Sequence, residues 1–375
     1  MLQRPRRNRR GGTLTANIKN AVGRIKKTKI RHEKLPIMAL AEVNAIIGKY
    51  RPCPVGTVNT INRLSLLYDL HIIIPVYNND RYLKECLTSV LQQKTKYSFY
   101  VTVVDDGSTD RTAEIADEFA HLQNIQVIHQ ENRGFSGARN RALECILGRY
   151  IAFVDSDDKM TENAVEKILD TAYKTEADIV EGAAYKITET GKVYGIIKSE
   201  NYFGNPQNIQ LRGMPWGKIY RAELWKNMKF PEGYLFEDSI NGYCVYPNAN
   251  KKYAISDIVY EYRRNPKGIS LSSLNDLRAL DTFWITEYLW NWMIENKQPI
   301  DRNTVVRMID QLRLNCRRTV ALPEEAQKAG FLKMCILVEN VMPIFAKHYL
   351  EEADKAFLQT FLNKDYGEYR YRSNG

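Results

Sequence analysis

The chain has 375 residues, 44% hydrophobic and 11% aromatic, so it can form a large core and a wholly disordered protein is excluded. The net charge of +10 comes from the N-terminus, because residues 1–34 carry 12 Lys and Arg against one acid, and the other residues carry 42 against 43. Without a CxxC pair, a secretory leader or an apolar run of 18 residues, we expect a cytoplasmic protein with reduced thiols and no membrane span.

The first 34 residues are predicted to form a basic tail that contains an amphipathic helix. Its apolar residues recur at helical spacing between lysines and arginines, at Leu14, Ile18, Val22 and Ile25. Such a helix either binds an anionic membrane surface at the inner membrane face or packs on the protein's own body, and nucleic acid is a third candidate partner. Residues 35–66 are predicted to be a connector.

From Leu70 onward, short β-branched runs alternate with helical stretches. The predicted strands are LHIIIPVYN, FYVTVVDD, NIQVIHQ and RYIAFVD, and the predicted helices between them cover 81–93, 109–120 and 136–147. This alternation indicates βαβ units in a parallel sheet. Ligands bind at the carboxyl ends of the strands in such sheets. The polar clusters at these ends, PVYN, DDGSTD, QENRG and DSDD, are therefore expected to face one crevice.

The second half of the chain is predicted to be mixed and then helical. Two strands are expected around a TGK turn within 178–198, and PWGKIYRAELW is expected to lead into a short helix. FPEGYLFEDSINGYCVY is predicted as a loop followed by a helix, and YAISDIVYEYRRNPKGIS as a strand with a basic turn. Helices are predicted from Ser273 to the end, and three of their tryptophans are expected in a helix core: Trp284, Trp290 and Trp292.

The DSDD run predicts a metal site of the DxD type. On an extended backbone residues i and i+2 point to the same side, so Asp155 and Asp157 are expected to aim at one point while Ser156 faces away. Carboxylates suit Mg²⁺ or Mn²⁺, and a site with two protein carboxylates leaves room for substrate phosphates. The pattern alone leaves a solvated turn open as the alternative.

Four ordered runs resemble the nucleotide-binding half of glycosyltransferase family 2 enzymes: IIIPVYNNDRYLKECLTSVLQQ, VVDDGSTDRT, NRGFSGARNRAL and YIAFVDSDD. PWGKIYRAELW, LFEDS and YEYRRNPKGIS extend the similarity to about residue 272. The resemblance implies an α/β, Rossmann-like GT-A fold with a mostly parallel sheet flanked by helices. It also implies a catalytic domain at 67–272, with a nucleotide-binding half at 67–175 and an acceptor half at 176–272. The C-terminal helical region at 273–375 is predicted from its helical periodicity alone.

The resemblance also implies roles for individual residues in donor binding. Pro75 and Tyr77 are expected to flank the base, with Tyr77 stacked on it. Asp106, together with Asp105, is expected to accept hydrogen bonds from the uracil and the ribose. Two further positions match residues of the family that contact the donor, Asn132 and Arg139.

The remaining implied roles concern the diphosphate and the chemistry. Asp157 with Asp155 is expected to hold a Mg²⁺ or Mn²⁺ ion against the diphosphate. Asp238 in LFEDS matches the catalytic base, with Glu237 beside it, although an acid that begins a helix remains the alternative. A basic turn resembles a segment that closes over the pyrophosphate, at Arg263, Arg264, Lys267 and Ser270. A solvated turn remains the alternative there too.

We therefore predict a cytoplasmic, inverting transferase that moves a hexose or N-acetylhexosamine from a UDP-sugar to a saccharide or lipid-linked acceptor in surface polysaccharide or glycoconjugate synthesis. One alternative is a sugar-nucleotide nucleotidyltransferase, which needs a Gly-rich basic loop where this chain has PVYNNDRY. The other is a non-catalytic protein whose tail binds nucleic acid. Outside the tail the chain is close to neutral, and its sequence shows no basic, aromatic surface, so no specific nucleic-acid partner is expected.

Overall fold

A computed structural model describes residues 32–199, 210–266, 268 and 276–373. The predicted amphipathic helix and two residues of the basic turn, Lys267 and Ser270, lie outside these ranges. The chain divides into two compact units, Arg51–Arg307 and a smaller unit of Met1–Tyr50 with Met308–Gly375. The larger unit begins before the predicted catalytic range of 67–272 and ends after it, and the predicted domain bounds stay a prediction.

The described α-helices are α1 (Leu40–Tyr50), α2 (Leu83–Leu91), α3 (Thr112–Asp117), α4 (Gly134–Leu143), α5 (Ala164–Thr175), α6 (Asp281–Glu295), α7 (Arg302–Thr319), α8 (Glu324–Phe345), α9 (Glu352–Leu362) and α10 (Tyr366–Ser373). Short 3-10 helices cover Ala222–Trp225, Tyr246–Asn248 and Leu277–Leu280, and a π-helix covers Asn241–Val245. None of these described helices combines the length and the hydrophobicity that crossing a bilayer requires.

The strands are β1 (Arg63–Val76), β2 (Phe99–Asp105), β3 (Ile125–His129), β4 (Cys145–Phe153), β5 (Lys159–Met160), β6 (Ile179–Ile187), β7 (Val193–Ile197), β8 (Lys218–Arg221) and β9 (Lys252–Arg263). In the described residues they form one sheet in the order β3-β2-β1-β4-β8-β6-β9-β5, with β7 on β6. Strands β3, β2, β1 and β4 run parallel, as does β9 beside β6. The other four pairings are antiparallel. The predicted α/β architecture is confirmed.

Burial on both faces explains the apolar strand runs. All seven residues of β1 from Leu70 to Val76 are buried, as expected for a parallel strand between helical layers. One helical layer consists of α2 and α5, whose buried residues recur at helical spacing and join a single core with Ile72 and Ile74 of β1.

Two predicted boundaries are wrong. The helix predicted over 136–147 ends at Leu143, because β4 begins at Cys145 and pairs there with Arg63 of β1. The pairing is close: a Cβ atom on Gly148 would lie 2.3 Å from the backbone nitrogen of His71. The other boundary is that of β1, which starts at Arg63 rather than Leu70, so the predicted connector contains α1 and the beginning of a strand.

The smaller unit is helical in its described part. In α1, Val43 and Ile47 are buried four residues apart. Aromatic side chains of α8, α9 and α10 pack against one another, and Phe331 stacks on Tyr369 at a centroid distance of 4.7 Å. Over the described residues 276–373 the predicted helices are confirmed, and the three tryptophans of α6, in the larger unit, are buried as expected.

Candidate active site

Hydrogen bonds join the carboxyl ends of the four parallel strands. The amide of Asp106, after β2, donates to the carbonyl of Val76 in β1 at 2.9 Å. Gln130, after β3, donates through Nε2 to Asp106 Oδ1 at 2.6 Å. Asn79, after β1, donates through Nδ2 to Ser156 Oγ, after β4, at 2.9 Å. The four polar clusters therefore meet at one edge of the sheet.

Asp106 presents a buried oxygen that the protein does not use. Its Oδ1 accepts from Gln130 and from the amide of Arg133 at 2.9 Å. Its Oδ2 is buried and has no hydrogen-bond partner among the described residues. Burial raises the pKa of Asp106, and the hydrogen bonds from Arg133 and Gln130 oppose that shift. A ligand N–H group is the kind of partner that this oxygen lacks.

Asp105 differs from Asp106, since both of its oxygens bond within the protein. Oδ1 accepts from the amide of Ser108 at 3.1 Å, and Oδ2 lies 2.9 Å from Nδ1 of His129. The hydrogen bond to Asp105, together with Asp117 on its other side, raises the pKa of His129. Asp105 therefore fixes the turn that presents Asp106.

The other residues predicted to surround the base differ in exposure. Pro75 is buried within β1, where it pairs with Val104 of β2. Tyr77 follows the strand and is 50% exposed. Asn132 is exposed and its Oδ1 accepts from the amide of Gly134 at 3.3 Å. Of these three, Tyr77 is the side chain whose ring surface is open to a stacking partner.

The DSDD loop is tied to the protein at each of its acids. Asp155 Oδ1 accepts from Arg139 Nη2 at 2.9 Å. Asp157 Oδ2 accepts from Asn265 Nδ2 at 2.9 Å. Asp158 is 1% exposed, and its Oδ1 accepts from the amide of Arg263 at 2.7 Å. A solvated turn does not describe this loop, because its last acid is buried.

The carboxylates of this loop disfavour one another's charge. Burial raises the pKa of Asp157, and the charge of Asp155 adds to the shift. Burial together with the charges of Asp157 and Asp155 raises the pKa of Asp158 well above its ordinary value. Closely spaced, partly desolvated carboxylates are the donor set that a hard divalent cation prefers. The residues present therefore fit Mg²⁺ or Mn²⁺.

Arg139 connects the DSDD loop to the LFEDS segment. It lies on α4, is buried, and donates from Nη1 to Glu237 Oε1 at 2.5 Å and from Nη2 to Asp155. Burial raises the pKa of Glu237 to about 7, with Arg139 opposing the shift and the charge of Asp238 adding to it. In this structure Arg139 is a bridge between two acids. Sequence reasoning named Glu237 only as a neighbour of Asp238, and no local pattern predicts its partner.

Asp238 is half-buried, whereas Glu237 is 6% exposed. The carbonyl of Asp238 accepts from the amide of Asn241 at 3.0 Å, so the residue also opens a helical turn. The residue before the two acids, Phe236, has a positive φ of 65°, which is unusual for a bulky side chain. Of the two acids, Asp238 is the more accessible to a substrate.

Arg263 faces the protein interior. Its side chain is 1% exposed, and Nε donates to the carbonyl of Asp157 at 2.7 Å. Nη1 donates to the carbonyl of Glu189 at 2.8 Å, and Nη2 donates to Glu85 Oε2 at 2.6 Å. The guanidinium thus holds the DSDD loop from the end of β9. Its neighbour Arg264 is exposed.

A second group of possible metal ligands lies in the smaller unit. His32 Nδ1 is 2.5 Å from Asp365 Oδ2, and Glu368 lies within reach of both. Asp365 Oδ1 accepts from the amide of Glu368 at 3.0 Å, and Glu368 pairs with Arg372. These contacts are those of a helix cap at the start of α10.

Comparisons with known proteins agree with the motifs at the strand ends. The family "Glycosyl transferase family 2" matches residues 71–236. Glycosyltransferase GlyG of Streptococcus pneumoniae serotype 4 is 32% identical over 218 residues, which are 53% of this chain and 72% of GlyG. Glycosyltransferase GlyA of the same organism is 34% identical over 209 residues, 51% of this chain. The matched region is 30% of GlyA, so the chain spans under a third of that relative.

Solved structures show the same fold. The crystal structure of S. aureus TarS 1-349 in complex with UDP-GlcNAc has a TM-score of 0.63 at 22% identity and covers 80% of this chain and 89% of its own. The predicted GT-A fold is therefore confirmed. The ordered strand-end motifs, this fold and the similarity to GlyG together show that the chain belongs to glycosyltransferase family 2.

Proposed function

We propose that the protein is an inverting glycosyltransferase that moves a sugar from a UDP-sugar to an acceptor hydroxyl. The observation that carries this proposal is the bridge from Asp155 through Arg139 to Glu237, which joins the acidic loop to the segment bearing Asp238. That bridge lies at the sheet edge where Asp106 offers its unused oxygen. A binding group for the base, an acidic loop for the diphosphate and a candidate base are thus coupled within one unit.

The nucleotide is assigned to the Asp106 side of the edge. The N–H of a uracil ring would supply the hydrogen bond that Asp106 Oδ2 lacks, and leaving a buried acceptor unsatisfied is unfavourable. Tyr77, half exposed at the end of β1, would stack on the ring. The S. aureus TarS structure with UDP-GlcNAc supports a nucleotide-sugar donor for this fold. Asp105 supports the turn and is not assigned a ligand contact.

The diphosphate is assigned to the DSDD loop. Asp157, with Asp155, would hold a Mg²⁺ or Mn²⁺ ion, because the charges of the loop carboxylates disfavour one another and Arg139 and Arg263 offset only part of that repulsion. The ion would supply positive charge against the negative charge that develops on the leaving phosphates. Since Arg263 is turned inward, we assign the contact of the basic turn with the pyrophosphate to Arg264 and Lys267, and to Arg263 the support of the loop.

Asp238 is assigned the role of general base. The acceptor oxygen would form a bond to the anomeric carbon as the bond from that carbon to the UDP oxygen breaks, and UDP would leave with the electron pair. Asp238 would take the hydroxyl proton in this in-line displacement. Glu237 is less suited to that role, because it is buried and bound by Arg139. It would instead hold the segment in register with the DSDD loop.

The donor sugar is proposed to be a hexose or an N-acetylhexosamine, and the acceptor a saccharide or a lipid-linked glycan of a surface polysaccharide or glycoconjugate. Residues 1–34 are proposed to hold the enzyme at an anionic inner membrane face, through the charge that they concentrate. Flotation with anionic liposomes tests this part. Equal flotation of the full chain and of a chain lacking residues 1–34 would contradict it.

The enzymatic proposal is tested with a panel of UDP-glucose, UDP-galactose, UDP-GlcNAc and UDP-GalNAc, scored for metal-dependent UDP release. Asp238→Asn is expected to lower transfer by about 10²- to 10⁴-fold while UDP still binds in calorimetry. Asp170→Asn, an exposed acid paired with Lys96, is the matched control and should leave both unchanged. A wild-type rate in Asp238→Asn, or release without any divalent metal, would contradict the assignment.

A further inference from the structure

An ion pair between Arg51 and Asp281 binds residues 233–235, which lead to Glu237 and Asp238. Both members of the pair lie outside residues 71–236, which match the family. Arg51 Nε donates to Asp281 Oδ1 at 2.7 Å, and Arg51 Nη2 donates to Asp281 Oδ2 at 2.9 Å. This two-pronged geometry is the strongest form of an arginine–carboxylate contact. Asp281, at the start of α6, is fully buried, and the side chain of Arg51 is 24% exposed.

The pair also binds the backbone of the segment directly. Asp281 Oδ2 accepts from the amide of Leu235 at 2.9 Å. Arg51 Nη2 donates to the carbonyl of Gly233 at 2.7 Å. The carbonyl of Arg51 accepts from Trp284 Nε1, on α6, at 3.0 Å. The carbonyl of Gly233 and the amide of Leu235 are thus both bound by the Arg51–Asp281 pair, and Arg51 is itself held by Trp284.

The next residue explains why such a grip is needed. Phe236 adopts a φ of 65°, in the left-handed region that disfavours a side chain of this size. A bulky residue persists in that conformation only when the surrounding structure over-determines it. On the far side Glu237 is held by Arg139, and on the near side Leu235 is held by Asp281. Phe236 therefore lies between two anchors.

We propose that Arg51 and Asp281 are positioning residues for the catalytic base, an inference that rests on the proposed role of Asp238. If the near anchor is lost, Phe236 can relax toward negative φ, and the direction of the chain changes two residues before the base. Among the described residues, the hydrogen bonds that hold the DSDD loop and Asp106 are made to groups other than Arg51 and Asp281. The pair thus acts on the rate of transfer and leaves donor binding alone.

Asp281→Asn and Arg51→Lys test the proposal, because each keeps part of the hydrogen bonding and removes the two-pronged ion pair. We expect kcat for the UDP-sugar identified by the panel to fall by roughly 10- to 100-fold, as for a displacement of about 1 Å. The Kd for UDP, measured by calorimetry, should stay at the wild-type value. If Asp281→Asn does not fold, Arg51→Lys, which retains the charge, carries the test.

A matched ion pair separates positioning from simple stabilisation. Arg313 and Asp354, in the smaller unit, are 2.6 Å apart with side chains 20% and 15% exposed. Arg313→Lys should lower the unfolding temperature without changing kcat. An equal loss of kcat in Arg313→Lys and Arg51→Lys, or an unchanged kcat in Arg51→Lys and Asp281→Asn, would overturn the proposal.

A second variant tests the link to Phe236. Glycine adopts positive φ without steric cost, so Phe236→Gly removes the need for an external anchor. The fold-loss in kcat caused by Asp281→Asn should therefore be smaller in a Phe236→Gly background than in the wild type, and equal losses would overturn the inference. If Asp238→Asn keeps the wild-type rate, the proposed base is wrong. If Asp238→Asn is inactive and Asp281→Asn is fully active, only the positioning role is wrong.

Discussion

Replacing Asp157 by asparagine separates the metal role of the acidic loop from a structural one. In the wild type, burial and the charge of Asp155 raise the pKa of Asp157, so the folded protein holds the ionised form less well than the unfolded chain does. Without metal, Asp157→Asn should therefore be at least as stable as the wild type at neutral pH. With metal bound, the wild type should be the more stable of the two, because the cation stabilises the ionised carboxylate of Asp157.

The size of the reversal follows from ligand linkage. At a Mn²⁺ concentration of about 100 times its Kd, binding to the folded state alone stabilises it by about 2.7 kcal/mol. For a unit of the size of Arg51–Arg307, that corresponds to a rise in unfolding temperature of roughly 5 to 10 °C. Thermal unfolding with UDP present, with and without Mn²⁺, measures the increment.

The increment should be largely lost in Asp157→Asn and kept in Asp170→Asn, an exposed acid on α5. Protons compete with the metal for the carboxylate of Asp157, and its raised pKa strengthens that competition, so the increment should shrink as the pH falls. An equal Mn²⁺ increment in the wild type and in Asp157→Asn would refute the assignment of this acid to a metal.

Three further variants have defined outcomes. Asp106→Asn should weaken UDP binding by about 1–3 kcal/mol in calorimetry, because one buried acceptor is lost, and an unchanged Kd would contradict the pocket. His71 is buried and its pKa is lowered to about 3, so between pH 6.5 and pH 3 only the unfolded chain binds a proton at this residue. In urea unfolding, the free energy of unfolding should therefore fall by about 1.4 kcal/mol per pH unit toward pH 5. His71→Gln should lack this loss. The hydrogen bonds to Asp105 and Asp117 raise the pKa of His129, so its protonation stabilises the folded protein. This stabilisation is fully present below pH 6.5 and is lost as the pH rises through the folded pKa. His129→Gln should remove this dependence of the unfolding free energy on pH.

The nucleotide half of the fold was predictable because its strands are continuous β-branched runs. Such runs mark buried parallel strands, and the polar residues that follow them mark the ligand edge. The start of β1 was not predictable in this way. Leu66 has a φ of 49° and the pairing with β4 shifts register between Leu64 and Tyr68, so no regular alternation marks this part of the strand.

The site was predictable where one motif contains all that is needed. Asp106 and Asp157 follow strands in recognisable runs, and the structure brings these strand ends together. The partners of the acids were not predictable. Glu237 meets Arg139 across 98 residues of sequence, and Asp281 meets Arg51 across 230. Contacts at such separations depend on tertiary packing, and neither the spacing nor the composition of a single chain encodes them.

The two buried arginines of the site decide where the charge for a diphosphate has to come from. A basic residue near a phosphate site is usually interpreted as a phosphate ligand. The family resemblance implied a donor contact for Arg139 and a pyrophosphate contact for Arg263, with a solvated turn left open for Arg263. In the structure Arg139 binds two acids, and Arg263 is bound by Glu85 and two backbone carbonyls. Both cations therefore compensate charge and dipoles that the protein itself has buried. In the proposed mechanism, the positive charge that a leaving diphosphate requires would come from a divalent ion at Asp157 and from exposed groups such as Arg264. We therefore propose metal dependence as the consequence of how Arg139 and Arg263 are already engaged.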